Sequence, residues 1–227
     1  MSTIVVGGEA LSLLPEKAVW IDARRTLLVA DAHLGKAVSF RRLGVPVPRG
    51  TTRATLDVLD DLVARLGVRR IVFLGDLLHS AHARSAATMA SVERWRALHA
   101  ALDLTLVRGN HDSRAGDPPA HWRIEVVDGP LAVGGLRLAH HPRPDPGGYL
   151  LAGHLHPCIG LAGRAHDRLR LPCFWFGAAV GVLPAFGAFT GMHPIRPAAG
   201  DRVFAVADDR VAEVARVGAP AAVGGGH

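Results

Sequence analysis

Cysteine and lysine are both scarce in this chain of 227 residues. Its two cysteines, Cys158 and Cys173, form no Cys-x-x-Cys pair and are too few for a disulfide framework, so we expect buried thiols in a reducing cytoplasm. Only Lys17 and Lys36 are lysines, so arginine supplies nearly all of the positive charge. The net charge of +6 favours an anionic partner such as nucleic acid, although an arginine-rich composition is equally explained by a GC-rich genome.

Targeting and membrane segments are lacking as well. No basic segment precedes an apolar one at the start of the sequence, which argues against a secretory signal. The uncharged stretch 171–192 is long enough to cross a bilayer, but two prolines and four glycines divide it into short apolar runs. We therefore expect buried strands and turns there, and no membrane association. Hydrophobic residues make up 49% of the chain, which excludes intrinsic disorder and predicts a globular protein.

Two halves of the chain differ in their periodicity. The first half alternates predicted strands (4–6, 19–21, 26–30, 70–74 and 104–107) with predicted helices at about 52–66 and 83–102, and a loop is expected over 35–50. This order indicates right-handed crossovers in a parallel sheet. From Ile124 onward short strands separated by Gly/Pro turns predict a second sheet, at 124–127, 136–139, 149–151, 173–176, 203–206 and 211–214. We expect one domain over 1–217 and a flexible Gly/Ala-rich tail over 218–227.

Histidine, in contrast, is abundant, with 13 residues. Five groups of histidine, carboxylate and amide side chains stand at or just past the ends of predicted strands: Asp31 with His33, Asp76, Asn110 with His111, His140 with His141, and His154 with His156. The carboxyl ends of strands border the ligand crevice of open α/β sheets, so these groups are expected to converge. In Asp31-Ala32-His33 and His154-Leu155-His156 an extended backbone would point both polar side chains the same way.

The types of side chain in these groups indicate a metal site. Carboxylate, imidazole and amide ligands without thiolates suit Mn²⁺, Fe or Zn²⁺. A carboxylate able to bridge, Asp76, allows two metals about 3.5 to 4 Å apart, as two-metal phosphoesterases use. The sequence therefore predicts a centre of two divalent ions, Mn²⁺ first among them.

The same residues resemble a known family. The five motifs of the calcineurin-like metallophosphoesterases have counterparts here, in order, at Asp31-x-His33, Gly75-Asp76, Gly109-Asn110-His111-Asp112, His140 and Gly153-His154-x-His156. More narrowly, the whole chain resembles the DNA-ligase-associated metallophosphoesterases of bacterial DNA repair gene clusters, with matches at 33–36, 40–52, 171–176 and 184–191. The resemblance implies an α/β fold, a four-layer sandwich of two mostly β-sheets flanked by helices in a single domain.

The resemblance also implies a role for each ligand. Asp31, His33 and His156 would hold one metal, Asn110, His140 and His154 the other, and Asp76 would bridge them. His141 is the alternative to His140, which is preferred because it comes first after its strand. A hydroxide between the metals would attack the phosphorus.

His111 has a different implied role, beside the metals. It would either position the phosphate or protonate the leaving oxygen. Many phosphatases of this superfamily place an aspartate three residues after the bridging one to pair with the catalytic histidine, whereas this chain has His79. What orients His111 is therefore open, Asp112 is unassigned, and His79 is either a substrate contact or a solvated residue at the cleft rim.

The loop after the first motif supplies candidate substrate contacts. Lys36, Arg41 and Arg42 could clamp phosphates and Phe40 could stack on a base, although a solvated loop with an inward aromatic fits the sequence equally well. We expect a DNA phosphodiesterase or endonuclease acting on single-stranded or damaged DNA, in functional association with a DNA ligase. The alternatives are a phosphoesterase of a small nucleotide or phospholipid precursor and a non-catalytic scaffold of the same fold.

Overall fold

Seven strands of the amino-terminal half pair into the first sheet of the protein. The computed structural model describes residues 1–42, 44–47, 50–162, 168–188 and 190–216. The strands of this sheet lie in chain order and are β1 (Ser2–Val6), β2 (Glu9–Leu13), β3 (Val19–Ile21), β4 (Thr26–Val29), β5 (Arg70–Phe73), β6 (Asp103–Val107) and β7 (Ile124–Val127). Strands β1 to β4 pair antiparallel, and β4 to β7 pair parallel. The predicted parallel arrangement is confirmed, whereas β2 was not predicted. The expectation that strand 124–127 begins the second sheet was wrong, because β7 pairs with β6 and extends the first sheet.

Four α-helices are described: α1 (Lys36–Arg42), α2 (Thr51–Leu66), α3 (Ala86–Leu98) and α4 (Asn110–Ala115). Helix α2 ends as predicted at Gly67, whose left-handed backbone (φ +61°) lets its N–H donate to Val63. Helix α3 begins at Ala86, after its N-cap Ser85, and ends at Leu98, so the predicted span 83–102 was too long. None of the described helices has the length and apolarity needed to cross a bilayer.

Helix α1 corrects the sequence prediction, because it lies in the stretch expected to be a loop. The glycines and prolines of 35–50 suggested irregular backbone, but they flank residues 36–42 and leave the helix itself free of them. The helix begins after Gly35, whose φ is +78° and whose N–H donates to the hydroxyl of Thr52 at 3.1 Å. Its buried Ala37 is part of the contact with neighbouring elements that stabilises so short a helix.

The carboxyl-terminal half forms the second sheet, of nine strands. These are β8 (Leu131–Val133), β9 (Leu136–Leu138), β10 (Tyr149–Ala152), β11 (Pro157–Ala162), β12 (Arg168–Phe176), β13 (Val180–Val182), β14 (His193–Pro194), β15 (Arg202–Ala207) and β16 (Arg210–Arg216). Strands β9, β10 and β13 are parallel neighbours. The stretch 171–192 contains the end of β12, all of β13 and connecting turns, as predicted. The predicted tail at 218–227 lies outside the described residues.

Two hydrophobic cores stack these layers, because the central strands of the first sheet are buried on both faces. In β4, Leu27 and Val29 face the core shared with α2 and α3, while Leu28 faces the core between the two sheets. Phe174 and Phe204 from β12 and β15 fill that second core. Side chains two apart in a strand share a face, which produces this division. The predicted α/β class, two sheets flanked by helices in a single-domain fold, is confirmed.

Candidate metal centre

Both sheets deliver polar side chains to one place. Asp31, Asp76 and Asn110 follow the carboxyl ends of β4, β5 and β6, which are adjacent parallel strands of the first sheet. His140 and His154 follow β9 and β10, which are adjacent parallel strands of the second sheet. The two sheets pack face to face, so ligand groups far apart in sequence become neighbours. All seven residues expected to hold metal, which also include His33 and His156, lie in this cluster.

The backbone at the cluster is left-handed, which differs from the extended conformation that the sequence suggested. Asp31 and His33 have φ of +52° and +45°, Asp76 has +52°, and His154 and His156 have +70° and +49°. Positive φ is uncommon for residues other than glycine and costs about 1 to 3 kcal/mol each. The expectation of extended pairs was therefore wrong, because the chain takes the left-handed conformation at both members of each pair, just after β4 and β10.

One group of lone pairs is centred on His140. Its Nδ1–H donates to the carbonyl of Leu74 at 3.0 Å, which leaves Nε2 as an acceptor. That Nε2 lies 2.9 Å from Asn110 Oδ1, 3.1 Å from His154 Nδ1 and 3.5 Å from Asp76 Oδ1. With this tautomer of His140, its Nε2 and the oxygens of Asn110 and Asp76 are all acceptors, and acceptors that face each other repel unless a cation joins them. A histidine held through its other nitrogen by a backbone carbonyl is the usual arrangement of a metal ligand.

A second group of lone pairs is centred on His156. Its Nδ1–H donates to the carbonyl of Gly191 at 3.0 Å, so its Nε2 is also an acceptor. That Nε2 lies 3.3 Å from His33 Nε2 and 3.5 Å from Asp31 Oδ1. Asp31 Oδ1 is buried and has no hydrogen-bond partner among the described residues. A buried carboxylate oxygen left unpaired is costly, and a cation at this point would pair it.

The carboxylate of Asp76 lies between the two groups. Its Oδ1 faces His140 at 3.5 Å, and its Oδ2 faces His33 Nε2 at 3.8 Å. Burial raises the pKa of the Asp76 carboxyl, and cations on its two oxygens would favour the charged form again. Asp76 therefore has the position of a bridging ligand, with one oxygen towards each group. The donor set as a whole, carboxylate, imidazole and amide, fits two divalent ions.

The two histidines at 140 and 141 are placed differently. His140 is buried with its ring nitrogen in the ligand cluster, whereas His141 is exposed. The His141 ring nevertheless lies 4.3 Å from the His154 ring, and its nitrogen is close enough to those of His140 and His154 to hold an ion with them. The contacts to Asp76 and Asn110 belong to His140, which favours it as the ligand.

His111 lies at the edge of the cluster, oriented by the main chain. Its Nδ1–H donates to the carbonyl of His79 at 2.5 Å, and its Nε2 lies 3.9 Å from Asp76 Oδ2. The side chain of His79 stacks on His111, with ring centroids 5.0 Å apart, and its Nδ1 lies 3.4 Å from Nδ1 of His33. Burial lowers the pKa of His79 to about 4, so it is neutral at pH 7. The orienting group that the sequence left open is thus a backbone carbonyl, which no side-chain motif reveals.

Asp112, unassigned in the sequence, ties two of the ligand loops together. Its Oδ2 accepts hydrogen bonds from the amides of Asp76 at 2.7 Å and Gly109 at 2.9 Å. Its Oδ1 accepts from the amide of Leu77 at 3.0 Å and from that of Leu78 at 3.4 Å. The carboxylate is buried and holds the turn after β5 against the turn after β6. Asp112 is therefore a positioning residue for the ligands on both turns.

Four of the five candidate substrate residues lie on α1, and the fifth, His79, follows β5. The Phe40 ring stacks at 6.1 Å from that of His79, and the ammonium of Lys36 lies 5.7 Å from the Phe40 ring centre. Arg41 donates to the carbonyl of Val47 at 3.3 Å. The side chain of Arg42 lies outside the described part of the structure. Because Phe40 packs on His79 and Lys36 lies beside Phe40, helix α1 places both residues at the rim of the site.

A two-sheet α/β fold with a histidine and carboxylate cluster between the sheets defines a metal-dependent hydrolase. The family model for calcineurin-like phosphoesterases matches residues 24–142, and the chain belongs to this family. Its fold and sequence are similar to the nuclease MPE of Pseudomonas putida, with 46% identity, a TM-score of 0.84, and coverage of 94% of this chain and 99% of that one. No curated protein matches the chain.

Two other solved structures are more distant. YfcE, a phosphoesterase from E. coli, is 19% identical with a TM-score of 0.42, covering 84% of this chain and 98% of that one. A protein of unknown function, AQ665 from Aquifex aeolicus, is 16% identical with a TM-score of 0.40, covering 58% and 78%. Neither likeness bears on the activity of this chain.

Proposed function

We propose that this protein is a two-metal phosphodiesterase that cleaves DNA, single-stranded or damaged, in DNA repair. The chemistry is supported by the position of Asp76, whose two oxygens face the acceptor atoms around His140 on one side and those around His156 and His33 on the other. In this proposal one ion is held by Asp31, His33 and His156, the other by Asn110, His140 and His154, and Asp76 bridges. Mn²⁺ is the metal we propose first, and the same donor set accepts Fe or Zn²⁺.

Two cations bound in this way would supply a nucleophile at neutral pH and polarise the oxygens of the phosphodiester. The residues of the chain do the rest. The His79 carbonyl holds Nδ1 of His111 in its protonated form, so Nε2 is the atom that meets substrate. Nε2 of His111 lies 3.9 Å from Oδ2 of Asp76, so it is within reach of an ester bound at the centre. It either protonates the departing oxygen or holds a phosphate oxygen by hydrogen bonding.

Nucleic acid as the substrate is supported by two observations. The relative of 46% identity that spans nearly the whole chain is a nuclease. At the rim of the site, α1 presents Lys36 and Phe40, a cation and an aromatic ring of the kind that grip single strands. The match to the DNA-ligase-associated subfamily leads us to propose functional association with a DNA ligase, which co-purification of the two proteins from the same cells would test.

Cleavage of circular single-stranded DNA tests the activity directly, because a circle has no ends for an exonuclease. With Mn²⁺ we expect the wild type to linearise the circle and His111→Ala to be slower by about 10² to 10⁴-fold. The matched control is His121→Ala, an exposed histidine paired with Glu93 outside the cluster. Cleavage by His111→Ala at the wild-type rate would refute the role of His111.

The alternatives give different results in the same assays. Hydrolysis of a nucleotide or phospholipid-precursor ester without cleavage of the circle would favour a small substrate. Less than one equivalent of bound metal, together with no effect of Asp76→Asn, would favour a non-catalytic scaffold.

The loop cations have a test of their own. Replacing Arg41 and Arg42 with alanine is expected to reduce DNA cleavage more than hydrolysis of a small aryl phosphodiester. The slope of the logarithm of DNA affinity against the logarithm of salt concentration should become shallower by about 1.4, because each of the two lost phosphate contacts on a single strand contributes about 0.7. Equal losses on both substrates would remove these two arginines from the DNA interface.

A further inference from the structure

A cavity of about 150 Å³ adjoins the metal centre on the side of the second sheet. It shares His156 with the centre, and its walls include Lys17, Pro172, Gly187, Thr190 and Met192. The His156 imidazole therefore belongs both to the cluster and to the lining of the cavity. The predicted site residues of the sequence include nothing in this cavity apart from His156.

Lys17 is held towards the cavity by a tight turn between β2 and β3. The N–H of Leu14 donates to the carbonyl of Ala18 at 2.9 Å, and the N–H of Lys17 donates to the carbonyl of Leu14 at 3.0 Å. Lys17 itself adopts the left-handed conformation, with φ +66°. Such a conformation is costly for a lysine, and the two hydrogen bonds keep it in place.

The charge of Lys17 is not paired within the part of the chain that the structure describes. The ammonium makes no hydrogen bond or ion pair within the described ranges of the chain, and burial lowers its pKa. The neighbouring carboxylate, Glu16, is instead paired with Arg65. Among the described residues that line the cavity, Lys17 is the only cation and none is acidic. A half-buried ammonium attracts anions more strongly than one in water.

We propose that this cavity is a subsite for the phosphate next to the scissile one, with Lys17 as its binding residue. The inference rests on the proposed function, because a strand bound with one phosphodiester at the metal centre must carry its neighbouring phosphate past His156 or away from it. Lys17 supplies a charge-assisted contact on the first of these paths. The subsite gives the enzyme a preference for a phosphodiester within a nucleic acid strand over an isolated one.

Two pairs of chromogenic esters test this subsite. Both members of a pair carry the same p-nitrophenyl phosphodiester, one on a single thymidine and the other on a dithymidine, which adds a second phosphate. The second phosphate lies on the 3′ side of the p-nitrophenyl ester in one pair and on its 5′ side in the other. For one polarity we expect kcat/KM of the wild type to be higher on the dithymidine ester by about fivefold, the size expected of one half-buried charged contact. Lys17→Gln should reduce this ratio to about one, and Lys17→Arg should retain it.

Controls separate the charge from the structure. Arg210→Gln removes an exposed cation on β16 and should leave the ratio at the wild-type value. Should Lys17→Gln fold poorly, Lys17→Met keeps an apolar stem of similar length. In the wild type, a neutral methylphosphonate in place of the second phosphate should abolish the ratio without any substitution.

Each outcome decides something. A ratio that is unchanged in Lys17→Gln, or that survives the methylphosphonate, would overturn the subsite while leaving the phosphodiesterase proposal intact. Failure of the wild type to hydrolyse any of the four esters would instead overturn the proposed function itself.

Discussion

Replacing Asp112 with asparagine tests whether the metal ligands are positioned by a buried carboxylate. An asparagine keeps one oxygen acceptor but puts an NH₂ group where the other oxygen accepts backbone amides. The less costly placement keeps the oxygen towards Asp76 and Gly109 and turns the NH₂ towards Leu77 and Leu78, whose bonds at 3.0 and 3.4 Å are the longer pair. The N–H groups of Leu77 and Leu78 then both lose this acceptor, and the cost comes mainly from Leu77, because the 3.4 Å bond of Leu78 is weak.

The magnitude follows from these contacts. An unsatisfied buried donor costs about 1 to 3 kcal/mol, and the two bonds that remain lose their charge assistance. Burial raises the pKa of Asp112, so removing its charge recovers part of this cost. We expect the free energy of unfolding to fall by about 2 to 3 kcal/mol. Metal affinity should fall by about 10 to 100-fold, since the amides that move belong to the turns carrying Asp76 and Asn110.

Urea unfolding followed by tryptophan fluorescence, with and without Mn²⁺, measures both effects, because a ligand of the native state adds stability according to its affinity. The matched control is Ser113→Ala, which removes a hydroxyl bond to the carbonyl of Gly109 in the same helix, at 3.0 Å. It should cost no more than about 1 kcal/mol and leave metal affinity unchanged. A loss of less than about 0.5 kcal/mol in Asp112→Asn, which is typical of surface substitutions, would refute the reasoning.

Three further predictions concern the glycine, histidine and cysteine residues of the fold. A Cβ at Gly75 (φ +82°) would lie 2.1 Å from His140 Nδ1, so Gly75→Ala should lower the free energy of unfolding by about 3 kcal/mol or more and lower metal content. The control Gly8→Ala has a similar φ of +75° but open space around the Cβ, and should lower it by about 1 kcal/mol. Equal losses in urea unfolding would contradict the clash. By elemental analysis, His140→Ala should lose at least one metal equivalent while His141→Ala retains nearly two; the reverse would exchange their roles. Burial raises the pKa of the Cys173 thiol from 9.0 to about 12, so the contribution of this thiol to stability is full below pH 9 and is lost as pH rises towards 12. Between pH 9 and 11 the free energy of unfolding should therefore fall more in the wild type than in Cys173→Ala. Equal falls in the two proteins would contradict this.

The central fold was predictable because burial leaves a strong pattern. Strands such as β4 and β5 are buried on both faces, so they appear in the sequence as short continuous apolar runs. Strand β2, by contrast, mixes exposed and buried residues over five positions and gives no comparable pattern. Helix α1 is too short for periodicity to be recognised, and its packing on neighbouring elements is a tertiary effect. Local patterns therefore predicted the interior better than the periphery.

The clustering of the seven candidate ligand residues was also predictable from the sequence, whereas the contacts that position them were not. Histidine and carboxylate residues at the ends of predicted strands can be recognised in the sequence. Their convergence follows because the carboxyl ends of neighbouring parallel strands lie at one edge of a sheet. The carbonyl of His79 that orients His111 is a backbone atom, present at every residue. The four amides that bind Asp112 come from two separate turns, which only the folded chain brings together. Nothing in the sequence singles out Lys17.

The left-handed turns explain how so many acceptors are held together. Five ligand positions have positive φ, a cost that persists only where surrounding contacts fix the backbone. Those contacts are made by the ligands themselves: Asp31 Oδ2 accepts the N–H of His154 at 2.9 Å, and Asp76 Oδ1 accepts the N–H of His111 at 2.9 Å. The N–H of His33 in turn donates to the carbonyl of Asp76 at 2.8 Å. Each carboxylate thus uses one oxygen to fix the next loop, and the strain at the turns is balanced within the site. These hydrogen bonds between neighbouring loops therefore hold the turns in place, and the other oxygen of each carboxylate faces the cluster.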